Sequence, residues 1–471
     1  MNRPDLSPSD VLLDRPPIVP PLDPEFRPVS WGQRRYAGTV AEAADRVPVC
    51  ITLERHEGMV SVFRTEVLPP GRSNDAATTR YLERQVKSLL WQIGGWRLLF
   101  GGPPELGRSI VQAYSLAGAR AFDARMMEAV YDRPFAGEVV GINDLPPAHE
   151  RSAELGGHLD GCRLGFDLGA SDYKLAAVRD GEVVFTTEVA WDPKHEPDPE
   201  VHFRAIDQGL RLAARHLPRV DAIGGSAAGI YLHNEVKVAS LFRAVPPAHF
   251  AEKVRPLFRN LQRAWGVPIE VANDGDVTAL AAAMSLQVRG VLGIAMGSSL
   301  AAGYLDRQGR ITGWLNELAF APLDYHPDAP ADEWSGDPGV GSQYLSQQAV
   351  GRLLKPAGIQ ADPDAPLPEK LMFLQSLMLG GDTRADRVYQ TLGVYLGYAL
   401  AQYSMIYDYE HVLILGRVTT GPGADVMVAR AREVLGAAFP DLANRIAIHL
   451  PDEKTKRVGQ AVAAASLPRL T

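Results

Sequence analysis

Leu164, Phe166 and Leu168 alternate with small or polar residues, and Tyr173, Leu175 and Ala177 resume the alternation after Gly169-Ala170-Ser171. Period-two patterning on both sides of a short polar break predicts two strands around a tight turn. Gly181-Glu182 turns the chain into a third strand, Val183-Val184-Phe185. Asp198-Pro199 then starts a helix, as cap and first-turn proline, with Phe203, Ile206, Leu210 and Ala213 on its apolar stripe. The same strand–helix alternation continues. Val220–Ile223 is a buried strand running into Gly224-Gly225, Phe250–Trp265 is helical, and Val267–Ala272 is a strand with its proline at the start. Val277–Met284 is an Ala-rich helix and Gly290–Met296 a strand. Helices follow at Val340–Leu354, Glu369–Leu379 and Arg384–Tyr407, then a strand at His411–Leu415, a helix ending near Leu435 and a last helix at Val458–Ala465. This order is that of an α/β protein.

Residues 1–150 read differently. Prolines crowd residues 1–30, which predicts an extended arm lying on the surface or on a partner, with ordered structure starting near Val47. Pro48–Phe63 is a hairpin turning at Glu57-Gly58, Thr78–Ile93 a helix, Trp96–Phe100 a strand, and a helix starts near Leu106. The helix–strand–glycine turn–helix order recurs at Tyr395–Leu435. Residues 1–150 are therefore either a degenerate half-copy of a C-terminal lobe or an added cap or dimerisation region. Residues 141–160, with Pro146-Pro147 and Gly156-Gly157, read as a linker. The expected division is 1–150, 160–285 and 286–471.

Length supports several domains, since 471 residues exceed what one core usually holds. A composition of 46% apolar and 22% charged residues is that of a globular protein. A net charge of −8 gives no reason to expect nucleic acid or an anionic membrane as partner. Residues 1–150 hold 17 Lys/Arg and 19 Asp/Glu without a basic stripe, which speaks against a DNA-binding region. Two cysteines, Cys50 and Cys162, make neither a disulfide framework nor a cysteine-rich zinc site. No apolar run is long enough for a bilayer, and the N-terminus lacks a signal peptide's apolar core. A cytoplasmic protein is expected.

Candidate chemistry sits at the strand ends, where open α/β sheets bind ligands. Gly169 and Ala170 leave room for a large anion beside the backbone, Ser171 offers a hydroxyl, and Asp167 is placed to hold a hydrated Mg²⁺ against phosphates. The strand Val267–Ala272 delivers Asn273-Asp274-Gly275-Asp276 to its end, where a catalytic carboxylate would be useful. The plainer readings are an ordinary hairpin in the first case and a helix cap in the second.

Asp167-Leu168-Gly169-Ala170-Ser171-Asp172-Tyr173-Lys174 resembles the first phosphate motif of the sugar-kinase/actin/heat-shock ATPase superfamily, with a close match to its hexokinase form. Further segments follow in that family's order over residues 163–471. Asn273-Asp274 resembles the ROK-family segment whose aspartate activates the sugar hydroxyl, with Asp276 replacing its second asparagine. Gly297-Ser298-Ser299-Leu300-Ala301-Ala302-Gly303 resembles the second phosphate motif with three glycines replaced, and Gly416 and Gly421 fit the adenosine motif. Glu317 matches the glutamate that accepts from sugar hydroxyls, while Phe320 stands where ROK kinases carry histidine. The three-cysteine zinc motif is missing from Trp334–Ser342, so no zinc is expected there.

The resemblance implies a two-lobed actin-like ATPase (ribonuclease H-like) fold with an added N-terminal α/β region. It also implies ATP- and Mg²⁺-dependent phosphorylation of a sugar or sugar-like polyol. Asp274 would be the base. Asn273, Glu317, Ser226 and Gly229 would hold the sugar. Asp167, Gly169, Ser171, Lys174, Gly297, Ser298, Gly416 and Gly421 would hold the nucleotide, with Asp167 reaching Mg²⁺ through water. Expected partners are a sugar and a nucleotide, with no nucleic acid and no membrane; a homodimer is one use of the N-terminal region. The rival readings are a sugar-binding sensor or pseudokinase of the same fold, and a transcriptional regulator.

Overall fold

The computed structural model describes residues 10–71, 75–152, 155–169, 171–451 and 453–470, with backbone alone over 453–458. Ala170 of the first turn lies outside the described residues.

Regular structure begins earlier than the prolines suggested. Helix α1 (Val29–Glu42) follows Pro28 and buries Val29, Tyr36 and Val40. Its glycines hid it from sequence reading, yet Gly32 is there for contact: a Cβ on it would lie 2.5 Å from the Leu12 carbonyl oxygen. The preceding segment lies on the chain's own C-terminal half. The Ile18 and Leu22 N–H groups donate to Tyr398 and Thr391, each at 3.3 Å. Phe26 packs on Tyr344 and Tyr395 with ring centroids 5.2 and 4.9 Å away.

The hairpin forms as expected, as β1 (Val47–Glu54) and β2 (Val60–Val67), followed by α2 (Asp75–Gln92), β3 (Arg97–Gly101), α3 (Pro104–Ala113), α4 (Ala121–Tyr131) and β4 (Ala136–Val140). The sheet order is β2-β1-β3-β4. Residues following β4 are pinned rather than free: Val60 and His149 form a β-bridge, and Glu150 accepts from Arg55 and Ser61.

The second sheet has the order β11-β8-β5-β6-β7. Its strands are β5 (Cys162–Leu168), β6 (Asp172–Arg179), β7 (Glu182–Ala190), β8 (Ala222–Ala227) and β11 (Ile269–Asn273). Helix α5 (Pro199–Ala214) starts at the Asp198 cap, and β9 (Ile230–Leu232) pairs with β10 (Glu235–Val238) as a separate hairpin. The expected helix over Phe250–Trp265 is broken. A π-helical turn spans Phe250–Val254, and α6 (Leu257–Trp265) starts only after Pro256, which ends the preceding turn. Helix α7 (Asp274–Leu286) continues directly from β11.

The third sheet, order β13-β12-β14-β15, contains β12 (Val291–Met296), β13 (Leu300–Leu305), β14 (His411–Leu415) and β15 (Ala447–His449). Its helices are α8 (Gln347–Leu354), α9 (Leu367–Leu379), α10 (Thr383–Tyr403) and α11 (Gly423–Ala438). The expected helix from Val340 is shortened: Gly341–Gln343 is a 3-10 turn and Ser346 caps α8. The last helix, α12 (Glu453–Ala465), returns to cover the second sheet. It lies so close that a Cβ on Gly165 or Gly224 would meet its backbone oxygens at 1.8 or 1.7 Å.

Strand order in the first and third sheets is alike, but β3 runs antiparallel to β1 whereas β14 runs parallel to β12. The two sheets therefore differ in strand direction, and the recurrence seen in sequence is one of element order only. One apolar core runs from the first sheet into the third sheet and its helices, while the second sheet packs a core of its own. No helix among the described residues is long and apolar enough to cross a membrane.

Candidate functional site

The three parallel strands β5, β8 and β11 end side by side, with Asp167 in register with Ser226 and Ala227 with Asn273. Their carboxyl ends open into a cleft of about 510 Å³ between the second and third sheets. Asp167, Gly169, Asn273 and Asp274 line one side; Gly297, Ser298, Glu317 and Gly416 line the other.

Asp274 reaches the cleft because α7 starts at the strand end. Asn273 caps this helix, its side chain accepting from the Gly275 N–H at 2.7 Å and donating to the Gly229 carbonyl at 2.6 Å. Glycine at 275 brings α7 onto β13: a Cβ there would lie 2.0 Å from the Ala302 carbonyl oxygen, and one on Gly303 would lie 2.1 Å from that of Gly275. Gly303 thus serves backbone contact between the two lobes. Gly229, with φ of +133°, closes the small-residue turn against the Val238 carbonyl.

The carboxyl groups are electrostatically strained. Burial, reinforced by Asp167, pushes Asp274 up to about 6. Burial, with Asp274 and Asp276 adding repulsion, pushes Glu317 up to about 8. Asp276 rises to about 7 through burial, although Asn316 donates to it at 2.8 Å and the Tyr304 N–H at 3.3 Å. Asn316 in turn accepts from Tyr407 at 3.0 Å, so a hydrogen-bonded chain runs beneath Glu317. Asp167 is also raised by burial, against the Ser226 hydroxyl and the Lys174 ammonium.

Several expected roles change. Ser226 does not face the cleft: it is fully buried and its hydroxyl donates to Asp167 at 2.6 Å, so it orients that carboxylate rather than touching a sugar. The Asn273 amide is engaged at both ends by the cap and by Gly229. The Ser171 hydroxyl donates to Asp172 at 2.9 Å. Lys174, 4.0 Å from Asp167, lines a side chamber of about 290 Å³ with Gly416, Arg417 and Thr420. Gly421 lines neither chamber nor cleft. Gly416, at φ +103°, lies against the Met296 carbonyl, where a Cβ would come within 2.4 Å.

Sequence reading missed what the N-terminal region contributes. The N–H groups of Leu315, Asn316 and Glu317 donate to the Ile93, Gln92 and Trp91 carbonyls at 3.3, 3.0 and 2.9 Å. These are orphan acceptors at the end of α2, so the loop carrying Glu317 completes that helix terminus. Trp91 and Met126 also line the cleft. The one sequence signal was the Gly94-Gly95 pair, which stops α2 where Leu315 must approach: a Cβ on Gly94 would meet it at 2.7 Å. In the segment without cysteines, Asp332 accepts from the N–H groups of Trp334 and Ser335 and from the hydroxyls of Ser335 and Ser342. Asp337 pairs with Lys87 and Arg120. Acid-centred turns and ion pairs to the N-terminal region hold this segment in place.

No protein-family model and no curated protein matches the sequence. Solved structures do. A ROK hexokinase from Thermus thermophilus aligns at TM-score 0.50 and 19% identity, over 64% of this chain and 97% of its own. A ROK family glucokinase from Streptomyces griseus, in complex with glucose and AMPPNP, aligns at 0.50 and 20%, over 65% and 98%. A ROK family transcriptional regulator, homolog of the E. coli MLC protein, aligns at 0.51 and 20%, over 66% and 79%. The chain has the two-lobed α/β fold of ROK-type actin-like ATPases, with a further α/β region ahead of it.

Proposed function

We propose that the protein transfers a phosphoryl group from ATP to a hydroxyl of a sugar or sugar-like polyol. The observation that carries this reading is the buried Asp274 carboxyl, raised to about 6, in one cleft with Glu317 and the glycine-bearing turns at Gly169 and Gly297. A carboxylate of that basicity suits proton removal near neutral pH. In this reading Asp274 takes the proton as the hydroxyl oxygen attacks the γ-phosphorus. Glu317 accepts or shares a proton with a second hydroxyl, and the backbones at Gly169, Gly297 and Ser298 hold phosphate oxygens. Ser226 keeps Asp167 oriented. The residues fit Mg²⁺: a single oriented carboxylate at the phosphate side is what the ion uses when water and phosphates complete its shell. Mg²⁺ would offset phosphate charge, and catalysis would rest on positioning and charge stabilisation.

A sensor that binds sugar without turnover is the second reading, favoured by the regulator that shares the fold. ADP formation with ATP, Mg²⁺ and a sugar panel separates the two. Under the kinase reading at least one sugar yields ADP, and Asp274→Asn lowers turnover at least about a hundredfold while sugar binding persists. Unchanged turnover in the folded variant would remove Asp274 from the mechanism, because Asn caps a helix as well as Asp. Calorimetric sugar binding without ADP from any sugar would establish the sensor.

A further inference from the structure

At the sugar end of the cleft four aromatic rings from two parts of the chain meet. Trp91 and Phe122 come from α2 and α4, Phe320 and Trp334 from the segment after Glu317. Trp91 and Phe320 have centroids 4.3 Å apart, Phe320 and Trp334 5.5 Å, Phe122 and Trp334 5.7 Å. Trp91 and Phe320 are buried, but Trp334 is 59% exposed while lining the same cleft as Asp274 and Glu317. Its exposure is not looseness. The Trp334 N–H donates to the buried Asp332 carboxylate at 3.1 Å, which also accepts from the Ser335 N–H at 2.8 Å. Asp337 on the same turn is tied to Lys87 and Arg120. A large apolar ring held rigidly at a cleft mouth, edge-on to two other rings, is a surface prepared for an apolar partner.

We propose that the acceptor is a glycoside rather than a free monosaccharide: a sugar ring at Asp274 and Glu317 whose aglycone presents an apolar face to Trp334. This rests on the sugar-site reading above. Two aglycones share that chemistry, an aryl group and the C–H face of a second sugar ring. Both stack on indole. Lys87 and Arg120, which lie beside the rings, are spent on Asp123, Asp337 and Glu83 and offer no charge to an aglycone there.

Calorimetry on the full chain tests this without turnover. The probes are the free sugars, methyl glycosides, phenyl glycosides and disaccharides of glucose, mannose and galactose, against wild type, Trp334→Ala and Trp334→Phe. The expected result is that the phenyl glycoside or the disaccharide of at least one sugar binds tenfold or more tighter than its methyl glycoside. That gap should shrink to about twofold in Trp334→Ala and survive in part in Trp334→Phe, while methyl glycoside affinity stays within about twofold. Which of the two probes gains identifies the aglycone. Equal affinity of methyl, phenyl and disaccharide probes, or a gap that Trp334→Ala leaves intact, overturns the glycoside assignment while the sugar site stands. Absence of binding by every probe overturns both.

Discussion

Two carboxyl groups occupy the first turn of α7, and at that place the helix dipole should favour their charge. It is worth about 0.3–1 kcal/mol in exposed settings. Burial wins, since Asp274 sits at about 6 and Asp276 at about 7 from an ordinary 3.8. Shifts of two to three units correspond to about 3–4 kcal/mol against the ionised forms. If Asp274 is the base of the proposed phosphoryl transfer, kcat/KM should climb as pH rises through about 6 and level off above it. A profile flat from pH 5 to 7 would speak against Asp274 as the titrating base. For Asp276 the effect falls on stability. Its folded value lies above the unfolded one, so the native state holds the proton longer, and stability from this group is lost as pH rises from about 4 through about 7. Asp276→Asn keeps an acceptor for Asn316 and removes the charge. It should raise stability at pH 8 by about 1–4 kcal/mol and change little at pH 4, measured by denaturant unfolding at both values. A gain equal at the two pH values would show that charge is not the cause.

At the scale of elements, α7 and β13 meet backbone to backbone through Gly275 and Gly303, which is how the strand-end carboxylate of one lobe comes to share a cleft with the turn at Gly297 of the other. Gly275→Ala has no space for its methyl group, whose nearest neighbour is a backbone oxygen. The chain must part there, at a cost of about 1–3 kcal/mol, and Asp274 moves with it. We expect a lowered melting temperature together with a fall in turnover larger than the fall in sugar affinity. Wild-type turnover in this variant would mean that the lobes tolerate separation. Loop and helix depend on each other in the same way at α2, whose last carbonyls take the N–H groups of residues 315–317.

Across the whole molecule, the N-terminal region is built into the cleft rather than appended to it. Its core is continuous with that of the third sheet, and Asp132 bridges to Lys237 at 2.6 Å and Arg255 at 2.5 Å on the opposite lobe. At its centre Lys87, fully buried, pairs with Asp123 and Asp337. Removing one partner of such a cluster leaves uncompensated buried charge, so Lys87→Met should cost about 3–5 kcal/mol. Thermal unfolding reads this, and an unchanged melting temperature would refute it. Deleting residues 1–150 should uncover apolar surface, free the loop that carries Glu317 and abolish sugar binding. A soluble truncated chain with full affinity would show that the region is dispensable.

Local patterns determined most of the elements. Period-two runs around Gly169, the capped start at Asp198-Pro199 and the strand His411–Leu415 all form as their residues dictate, because backbone geometry and capping are decided within a few neighbours. The strand ends likewise pointed to Asp167 and Asp274, and the family resemblance to Glu317; all three line one cleft. Helix α1 was illegible because its glycines and preceding prolines disfavour a helix on local grounds, and only packing on Leu12 and Tyr325 explains Gly32. Ser226 read as a sugar ligand because composition cannot tell which face of a strand end a hydroxyl takes; the register beside Asp167 decides it. The aromatic mouth needed contacts between residues far apart in the chain, Trp91 with Phe320 and Phe122 with Trp334. No short window of sequence holds that information, because such contacts exist only once separate elements have packed against one another.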